Sequence, residues 1–298
     1  MSRHLADLSD IDLITRALEV ETLRKIDRPS TADLTRFKRI AVLAPHQDDE
    51  MIGAGGLSVL ASESGAAVSF VFLTDGAERG MAGVDGTTLR PPEAAAIRQA
   101  EAREVCAALG AEYSCLGIDN TVMAVERHHV ASLSGILVDF APDLILLPWL
   151  FDSAPKHRMA TQLLWLALRN AAPGGAEIWG YQVNNGLFAN RVLDITSVID
   201  RKLELIGLYE SQNSFLRRYD HQAMGLGAWN SRYLPSKGTA LAATYAELFL
   251  ALTQDEFGDL VERFYLNNLK AVYGGSTRLV HSMSALHAAM VGPGAGQT

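Results

Sequence analysis

Several side chains that could take part in chemistry directly follow one apolar stretch. The segment IAVLAPHQDDEMIGAGG, residues 40–56, begins as a hydrophobic strand and then places His46, Asp48, Asp49 and Glu50 close together. Three neighbouring carboxylates repel one another, so their grouping favours a bound positive charge. Neutral imidazole and carboxylate together are ligands that suit Zn²⁺. The segment therefore predicts a divalent metal site.

The spacing of these residues suggests how the roles divide. His46 and Asp49 are three residues apart, and both side chains can reach one point if a helix begins near Asp48. A catalytic zinc usually has three protein ligands, and His157 follows the fourth predicted strand as a candidate for the third. We therefore predict His46, Asp49 and His157 as the ligands of Zn²⁺ or another divalent metal. Asp48 would be the general base that accepts a proton from water.

Each of these residues also has a simpler explanation. Asp48 or Asp49 could cap the following helix, and His157 could be a surface histidine or one at a helix start. The glycines of residues 53–56 suggest a dinucleotide loop, but GxGxxG is incomplete and the acids would face the pyrophosphate. Close packing of a helix on a sheet explains these glycines better.

The surrounding sequence alternates between apolar strands and helices. The predicted strands are RIAVLAP, AVSFVFLTD, EYSCLGI, DLILLPW and EIWGYQV, with helices such as PEAAAIRQAEAREVCAALG and HHVASLSGILVDFA between them. This alternation predicts a parallel sheet covered on both faces. Ligands of such sheets bind beyond the carboxyl ends of the strands. The segments 45–50 and 148–158 both begin there, so we expect them on the same edge.

We predict one domain that contains the whole sequence. Its expected parts are a core of about residues 38–213, an N-terminal helical extension over 1–37 with a helix at 8–26, and a C-terminal helical region over 214–298, including residues 240–270.

Composition narrows the class of protein. The 298 residues carry a formal net charge of −8 and contain no basic run, which argues against nucleic-acid binding. Cys106 and Cys115 lack CxxC spacing and suggest a reducing compartment. Neither a signal peptide nor an apolar stretch of the roughly 20 residues that span a bilayer is visible. We therefore expect a soluble cytoplasmic protein without a membrane span, which could form a homo-oligomer.

Several motifs in combination resemble the LmbE-like, or PIG-L, family of zinc-dependent N-deacetylases. The segment PHQDDEMIGAGG is similar to that family's (A/P)HPDDE motif and its small-residue helix, FLTDGAERG to its second strand end, and APKH to its HPDH motif. Arg98 and Glu101 match an RxxE helix that ends in LG. The segment KLELIGLYESQ, residues 202–212, matches K-x-x-x-I-x-x-Y-x-SQ. The likeness extends over roughly residues 38–213.

This resemblance implies a fold, a reaction and a set of roles. The fold would be a Rossmann-like three-layer α/β sandwich with a mostly parallel sheet and extra N- and C-terminal helices. The reaction would remove the N-acetyl group from an amino sugar, in a glycoside, a glycolipid or a natural-product intermediate, and release acetate. Matched residue by residue, His46, Asp49 and His157 would hold zinc, and Asp48 would be the general base.

Two departures from the family pattern affect the expected chemistry. Gln47 replaces the usual proline of the first motif, which is expected to loosen the loop. Ala154 stands where the first histidine of HPDH would be, and Lys156 replaces its aspartate. In relatives that histidine is thought to stabilise the oxyanion or to protonate the leaving amine. Lys156 could supply positive charge instead, or could be solvated.

Other polar and aromatic residues are candidates for substrate contact. The Gly-rich loop over residues 75–93 follows a strand end, where binding residues are common. The candidate substrate-binding side chains are Arg79, Arg98, Lys156 and His221, each of which could instead be solvated. Trp229 and Tyr233 could stack on a sugar ring or belong to the core.

Two other functions remain compatible with the sequence. A sugar- or nucleotide-sugar-binding protein could have lost its chemistry with the altered APKH segment. A hydrolase could also use the same metal on another amide or on a carbamoyl group.

Overall fold

The computed structural model describes residues 29–83, 86–171, 174–213, 218–235, 242–266 and 268–291. In these ranges the chain forms a single eight-stranded sheet with helices packed on it. The helix expected over residues 8–26 lies outside the described residues. Residues 29–37 were expected to end a helical extension, but they contain a short edge strand instead.

The strands follow the apolar segments of the sequence closely. Their bounds are β1 (Ser30–Thr31), β2 (Arg39–Ala44), β3 (Ala67–Thr74), β4 (Glu112–Ile118), β5 (Leu144–Pro148), β6 (Glu177–Tyr181), β7 (Arg191–Asp194) and β8 (Ala246–Leu252). The order across the sheet is β1-β7-β8-β6-β5-β2-β3-β4. All neighbouring strands are parallel except where β8 pairs with β6 and β7. The five strands predicted from the sequence are β2 to β6.

The helices connect these strands and follow them. Their bounds are α1 (Asp49–Glu63), α2 (Pro91–Leu109), α3 (Arg127–Phe140), α4 (Pro155–Asn170), α5 (Ile199–Gly207), α6 (Tyr219–Asn230), α7 (Gln254–Phe264), α8 (Leu269–Val272) and α9 (Thr277–Val291). Short 3₁₀ turns precede α5 and follow α6. None of these described helices is long and apolar enough to cross a membrane.

Alternating side chains of the central strands divide the core into two layers. On β2, Ile40 and Val42 belong to the cluster that includes α1, α2 and α5, whereas Ala41 and Leu43 belong to the cluster that includes α3, α4, α7 and α9. This alternation follows from the two-residue period of a strand. The result is a three-layer α/β sandwich, as the sequence predicts.

The order of the strands reverses beside β2. The chain runs from β2 to β3 and β4 on one side, and then crosses back to place β5 on the other side of β2. Parallel sheets bind ligands at such switch points, beyond the carboxyl ends of the strands. The loops after β2 and β5 therefore meet at the position where a site is expected.

The glycines at the start of α1 allow the helix to pack very closely. A Cβ atom on Gly53 would lie 2.1 Å from Cδ2 of Tyr181, and one on Gly56 would lie 2.5 Å from Cγ2 of Ile195. Side chains at these positions would overlap with their neighbours. The structure thus supports helix packing, and not a dinucleotide loop, as the reason for these glycines.

The predicted helix over residues 240–270 is wrong in its first part. Ala246–Leu252 forms β8, every residue of which is buried between β6 and β7. The helix α7 begins only at Gln254, where the side chain of Thr253 accepts a hydrogen bond from the Glu256 N–H. The sheet therefore continues beyond residue 213, the expected end of the core.

Candidate metal centre and its surroundings

A tight turn after β2 presents the first motif. Asp48 is the N-cap residue of α1 and has φ 147° and ψ −31°, an unusual conformation for a residue with a side chain. Such a backbone costs about 1–3 kcal/mol and is common at functional sites. Asp48 makes no side-chain cap to α1, so capping does not explain this residue. Instead, its carboxylate is turned towards α2.

The side chain of Gln47 connects the turn to the neighbouring strand. Its side chain is fully buried, and its Nε2 donates a hydrogen bond to the Thr74 carbonyl at the end of β3, at 2.9 Å. Gly76 has φ +80°, and a Cβ there would lie 2.5 Å from the Gln47 Oε1 atom. The Gln47 amide thus ties the turn to the end of β3 through one hydrogen bond, while its Oε1 atom is buried without a hydrogen-bond partner among the described residues.

The three predicted ligands converge on one point. The Oδ2 atom of Asp49 lies 3.0 Å from Nδ1 of His46 and 3.3 Å from Nε2 of His157. One ligand atom from each of the three residues lies within 4.8 Å of the others. Ligand atoms of a tetrahedral zinc site lie roughly 3.3–3.6 Å apart. The donor set and its spacing therefore fit a small divalent cation with a coordination position left open.

Strand order explains why His46 and His157 meet although they are far apart in the sequence. His46 follows β2, and His157 lies in the first turn of α4, after β5. Because β2 and β5 are parallel neighbours, their carboxyl ends lie on the same edge of the sheet. His157 is only 3% exposed, which excludes the interpretation of a surface histidine.

Asp152 orients His157 and was not predicted. Its Oδ1 lies 3.1 Å from Nδ1 of His157, so a proton on Nδ1 leaves Nε2 free to face Asp49. The carboxylate also accepts hydrogen bonds from the side-chain and backbone N–H groups of Asn184 and from the backbone of Ala154. A carboxylate behind a metal-binding histidine is a common arrangement. Its position five residues before His157 was the available signal in the sequence.

The site attracts positive charge. Burial opposes a charge on His157, but Asp49 and Asp152 raise the pKa of its imidazole to about 10. Burial also opposes a charge on Asp49, yet His157 and His46 hold the pKa of that carboxyl well below its usual range. In the metal-free protein the proton therefore stays on His157, and the positive imidazolium offsets the negative charge of Asp49. A bound cation would take over this role and displace the proton.

Arg98 contacts Asp48 in the interior. The guanidinium donates from Nη2 to Oδ2 of Asp48 at 3.1 Å and to the Gln47 carbonyl at 2.8 Å. Arg98 is 4% exposed, and Glu78 lies on its other side at 3.9 Å. Burial raises the pKa of Asp48 to about 7, although Arg98 acts in the opposite direction. In this structure Arg98 supports Asp48 instead of facing the solvent as a substrate contact would.

Glu50 and Tyr209 form a buried pair beneath the turn. The Tyr209 hydroxyl hydrogen-bonds to Oε1 of Glu50, and Oε2 accepts from the Asp48 N–H at 3.1 Å. Burial raises the pKa of Glu50 to about 8. Glu50 therefore holds the strained backbone of Asp48 from below. Tyr209 belongs to the KLELIGLYESQ motif, which is thereby linked to the first motif.

Lys156 is half-buried and its ammonium is engaged. Its Nζ donates to the backbone carbonyl of Asn120 at 2.8 Å and to the Asn120 Oδ1 at 2.6 Å. Burial and nearby Arg98 lower the pKa of Lys156. Ala154 is the N-cap residue of α4 and offers no side-chain hydrogen-bond donor at the position that the resemblance aligns with the first histidine of HPDH.

The remaining substrate-contact candidates lie outside this cluster. Arg79 is exposed on the loop after β3, and His221 is exposed on α6. Trp229 is 67% exposed and is stacked against Arg232, which also contacts the ring of Tyr233. The exposure of Trp229 excludes it from the core.

Comparisons with known proteins agree with these motifs. Residues 41–168 match the PIG-L family model, described as GlcNAc-PI de-N-acetylase. A diacetylchitobiose deacetylase from Thermococcus kodakarensis is 26% identical over 208 residues, which cover 64% of this chain and 76% of that protein.

Solved structures with a similar fold have more than one activity. N,N'-diacetylchitobiose deacetylase from Pyrococcus horikoshii gives a TM-score of 0.62 at 24% identity, over 83% of this chain and 95% of that one. GalB, the 4-carboxy-2-hydroxymuconate hydratase from Pseudomonas putida, gives a TM-score of 0.61 at 21% identity, over 72% of this chain and 96% of that one. At these identities the likeness establishes the fold. The family match and the motifs together identify residues 41–168 as a PIG-L, or LmbE-like, family domain.

Proposed function

We propose that this protein is a metal-dependent N-deacetylase that removes the acetyl group from an N-acetylated amino sugar or its conjugate. The observation that carries the proposal is the convergence of His46, Asp49 and His157. Asp48 precedes Asp49 in the chain, and its buried carboxylate is close enough for Asp49 and His157 to affect its pKa. The relatives named as diacetylchitobiose deacetylases support the choice of an acetylated sugar.

The cation would be held by Nδ1 of His46, Oδ2 of Asp49 and Nε2 of His157. Two imidazoles and one carboxylate with an open position are a ligand set typical of catalytic zinc, so we propose Zn²⁺. Bound there, zinc would acidify water and polarise the acetamide carbonyl. Asp152 keeps His157 in the tautomer that presents Nε2 to the cation.

Asp48 would move the protons. As water attacks the acetamide carbon, its proton passes to the Asp48 carboxylate, and the C–N bond then breaks. The same proton passes to the departing nitrogen, so that acetate and a free amine are formed from amide and water. A general base is most effective when its pKa is near the working pH, and burial raises the pKa of Asp48 towards that range.

Asp48 would also be the acid that protonates the leaving nitrogen. The side chain of Ala154 cannot donate a proton, and the ammonium of Lys156 is hydrogen-bonded to Asn120. Arg98 contributes by holding Asp48 in a single position through the ion pair and the Gln47 carbonyl. One carboxylate can perform both steps if it stays near the water and the leaving nitrogen.

Hydration of a carbon–carbon double bond is the second candidate, favoured by the similar fold of the hydratase GalB. A divalent metal and a carboxylate base can also activate water for that reaction. The two reactions differ in their product, since only the deacetylase releases acetate and a primary amine.

The test is acetate release from diacetylchitobiose and other N-acetylated amino sugars, measured with metal-stripped and Zn²⁺-reloaded protein. We expect turnover only after reloading, and a loss of about 10²–10⁴-fold in Asp48→Asn with zinc retained. No acetate from any N-acetyl sugar, together with hydration of an unsaturated acid, would assign the second reaction instead.

A further inference from the structure

The helix that carries Asp49 is interrupted one turn after it begins. Ala54, in the middle of α1, has φ −136° and ψ 17°, which are not helical angles. In an unbroken helix the Gly56 N–H would donate to the carbonyl of Ile52, four residues earlier. Gly56 is buried and Ile52 is partly buried, and at the break neither group has the partner that an unbroken helix would give it.

A buried ion pair from distant segments provides partners for both groups. The Gly56 N–H donates to Oε1 of Glu247 at 2.7 Å, and the Leu57 N–H donates to Oε2 at 2.8 Å. The ammonium of Lys202 donates to the Ile52 carbonyl at 2.8 Å. Lys202 and Glu247 also contact each other at 2.7 Å.

Charge and position match on both sides of the break. The carboxylate lies at the amino end of the second half of α1, where the helix dipole favours negative charge, and the ammonium lies at the carboxyl end of the first half. The side chains of Lys202 and Glu247 are only 2% and 5% exposed. A pair so deeply buried is costly unless all its hydrogen-bonding groups are used.

We propose that Lys202 and Glu247 form a positioning pair that fixes the first turn of α1, and with it Asp48 and Asp49, against His157. The effect on metal affinity rests on the proposed function, whereas the effect on the broken helix does not. This assigns a task to Lys202 of the KLELIGLYESQ motif and to Glu247 of β8, which lies outside every motif singled out in the sequence.

Two glycines of α1 leave room for the side chains of Lys202 and Glu247 beside the helix backbone. A Cβ atom on Gly55 would lie 3.2 Å from Cγ of Lys202, and one on Gly56 would lie 3.0 Å from Oε1 of Glu247. The absence of side chains at these glycines is therefore what allows the pair to reach the backbone.

Three variants separate capping from a simple ion pair. Glu247→Gln keeps the shape but removes the negative charge. The exchange Lys202→Glu with Glu247→Lys keeps an ion pair but places each charge at the wrong end of the break. Leu286→Ala removes a buried contact of α9, which belongs to the core layer opposite that of α1, and serves as a control that also lowers the melting temperature.

Two measurements are made well below the unfolding temperature of each variant. Amide hydrogen exchange over residues 51–57 reports on the break, and competition with a chromophoric chelator gives the affinity for Zn²⁺. We expect amide hydrogen exchange at residues 51–57 to be faster both in Glu247→Gln and in the double variant with the two charges swapped. Both should also weaken Zn²⁺ binding roughly tenfold. Leu286→Ala should change neither.

The proposal would be overturned if the variant Lys202→Glu with Glu247→Lys had the same amide hydrogen exchange and Zn²⁺ affinity as the parent. Lys202 and Glu247 would then act only through their mutual attraction. The proposal also fails if Glu247→Gln lowers the melting temperature and changes nothing else. If Glu247→Gln does not fold, Lys202→Met combined with Glu247→Gln takes its place, since it leaves no buried charge. Should the parent protein bind no Zn²⁺, the proposed function fails while hydrogen exchange still decides this proposal.

Discussion

The guanidinium of Arg98 and the carboxylate of Asp48 form a buried ion pair, with Nη2 of Arg98 3.1 Å from Oδ2 of Asp48. The same Nη2 donates to the Gln47 carbonyl at 2.8 Å. Arg98 therefore holds both the side chain and the preceding backbone of the proposed base. This contact connects the RxxE motif of α2 to the turn after β2.

We predict that Arg98→Met shifts the acidic limb of the pH–rate profile to higher pH. Burial raises the pKa of Asp48 to about 7, and Arg98 lowers it. Removing the cation should raise the limb by about 1–3 pH units, because the base must lose its proton to act. A bound metal ion should lower the pKa of Asp48 in the parent and in Arg98→Met alike. The quantity to compare is therefore the difference in pH between the acidic limbs of the two proteins.

The measurement is kcat/KM for acetate release between pH 5 and 10. Arg98→Lys keeps a charge and is the matched control, with a smaller shift. A uniform loss at every pH, with the limb unmoved, would show that Arg98 acts on geometry alone.

We predict that Asp152→Ala weakens Zn²⁺ binding by about 10–100-fold. Asp152 lies 3.1 Å from Nδ1 of His157, and its loss would free the ring to rotate and to change tautomer. Competition with a chelator measures the affinity. Asp119→Ala, on the loop after β4, is a suitable control because Asp119 accepts hydrogen bonds within its own loop. Equal affinities in Asp152→Ala and the parent would exclude this orienting role.

The sequence was informative wherever a residue's task depends on its immediate neighbours. The central strands are apolar on both faces and could be recognised from that property. His46 and Asp49 could be paired by spacing, and His157 could be added because ligands gather at strand ends. The strand β8 was missed because AELFLAL consists mostly of alanine and leucine, which favour helices. Only its burial between two strands makes it a strand.

The supporting residues of the site depend on contacts that no local pattern reveals. Tyr209 meets Glu50 across 159 residues, and Lys202 meets Glu247 across 45. The family resemblance marked Tyr209 and Lys202 as motif members but gave no partner for either. Such partners are determined by strand order and helix packing, so they required the structure.

We predict that Glu50→Gln removes part of the pH dependence of stability in the metal-free protein. The pKa of Glu50 rises from an ordinary 4.5 to about 8 on folding, chiefly through burial. Between these values the folded state binds more protons than the unfolded state, so the free energy of unfolding falls as pH rises. One group contributes at most about 1.4 kcal/mol per pH unit. Glutamine cannot titrate and should remove this contribution.

Urea unfolding of chelator-treated protein at pH 5.5 and pH 8 measures the effect. We expect the free energy of unfolding to fall less from pH 5.5 to pH 8 in Glu50→Gln than in the parent. Glu63→Gln, at the exposed end of the same helix, is the matched control. A parent-like change between the two pH values in Glu50→Gln would contradict the prediction.

We predict that Gly53→Ala destabilises the protein although alanine favours helices. A Cβ at this position would lie 2.1 Å from Cδ2 of Tyr181 and 3.0 Å from the Gln182 carbonyl. The ring of Tyr181 cannot move aside easily, because it is fully buried and its hydroxyl donates to the Leu43 carbonyl at 2.8 Å. The overlap should cost about 1–3 kcal/mol.

Gly135→Ala provides the matched control for this substitution. Gly135 lies within α3, and nothing stands within 4 Å of a Cβ placed there. The same change should therefore stabilise the protein by up to about 1 kcal/mol through helix propensity. Urea unfolding compares the two variants. If both were equally stabilising, the close approach of α1 to β6 would not limit this position, and the first turn of α1 would not depend on its glycines for its placement.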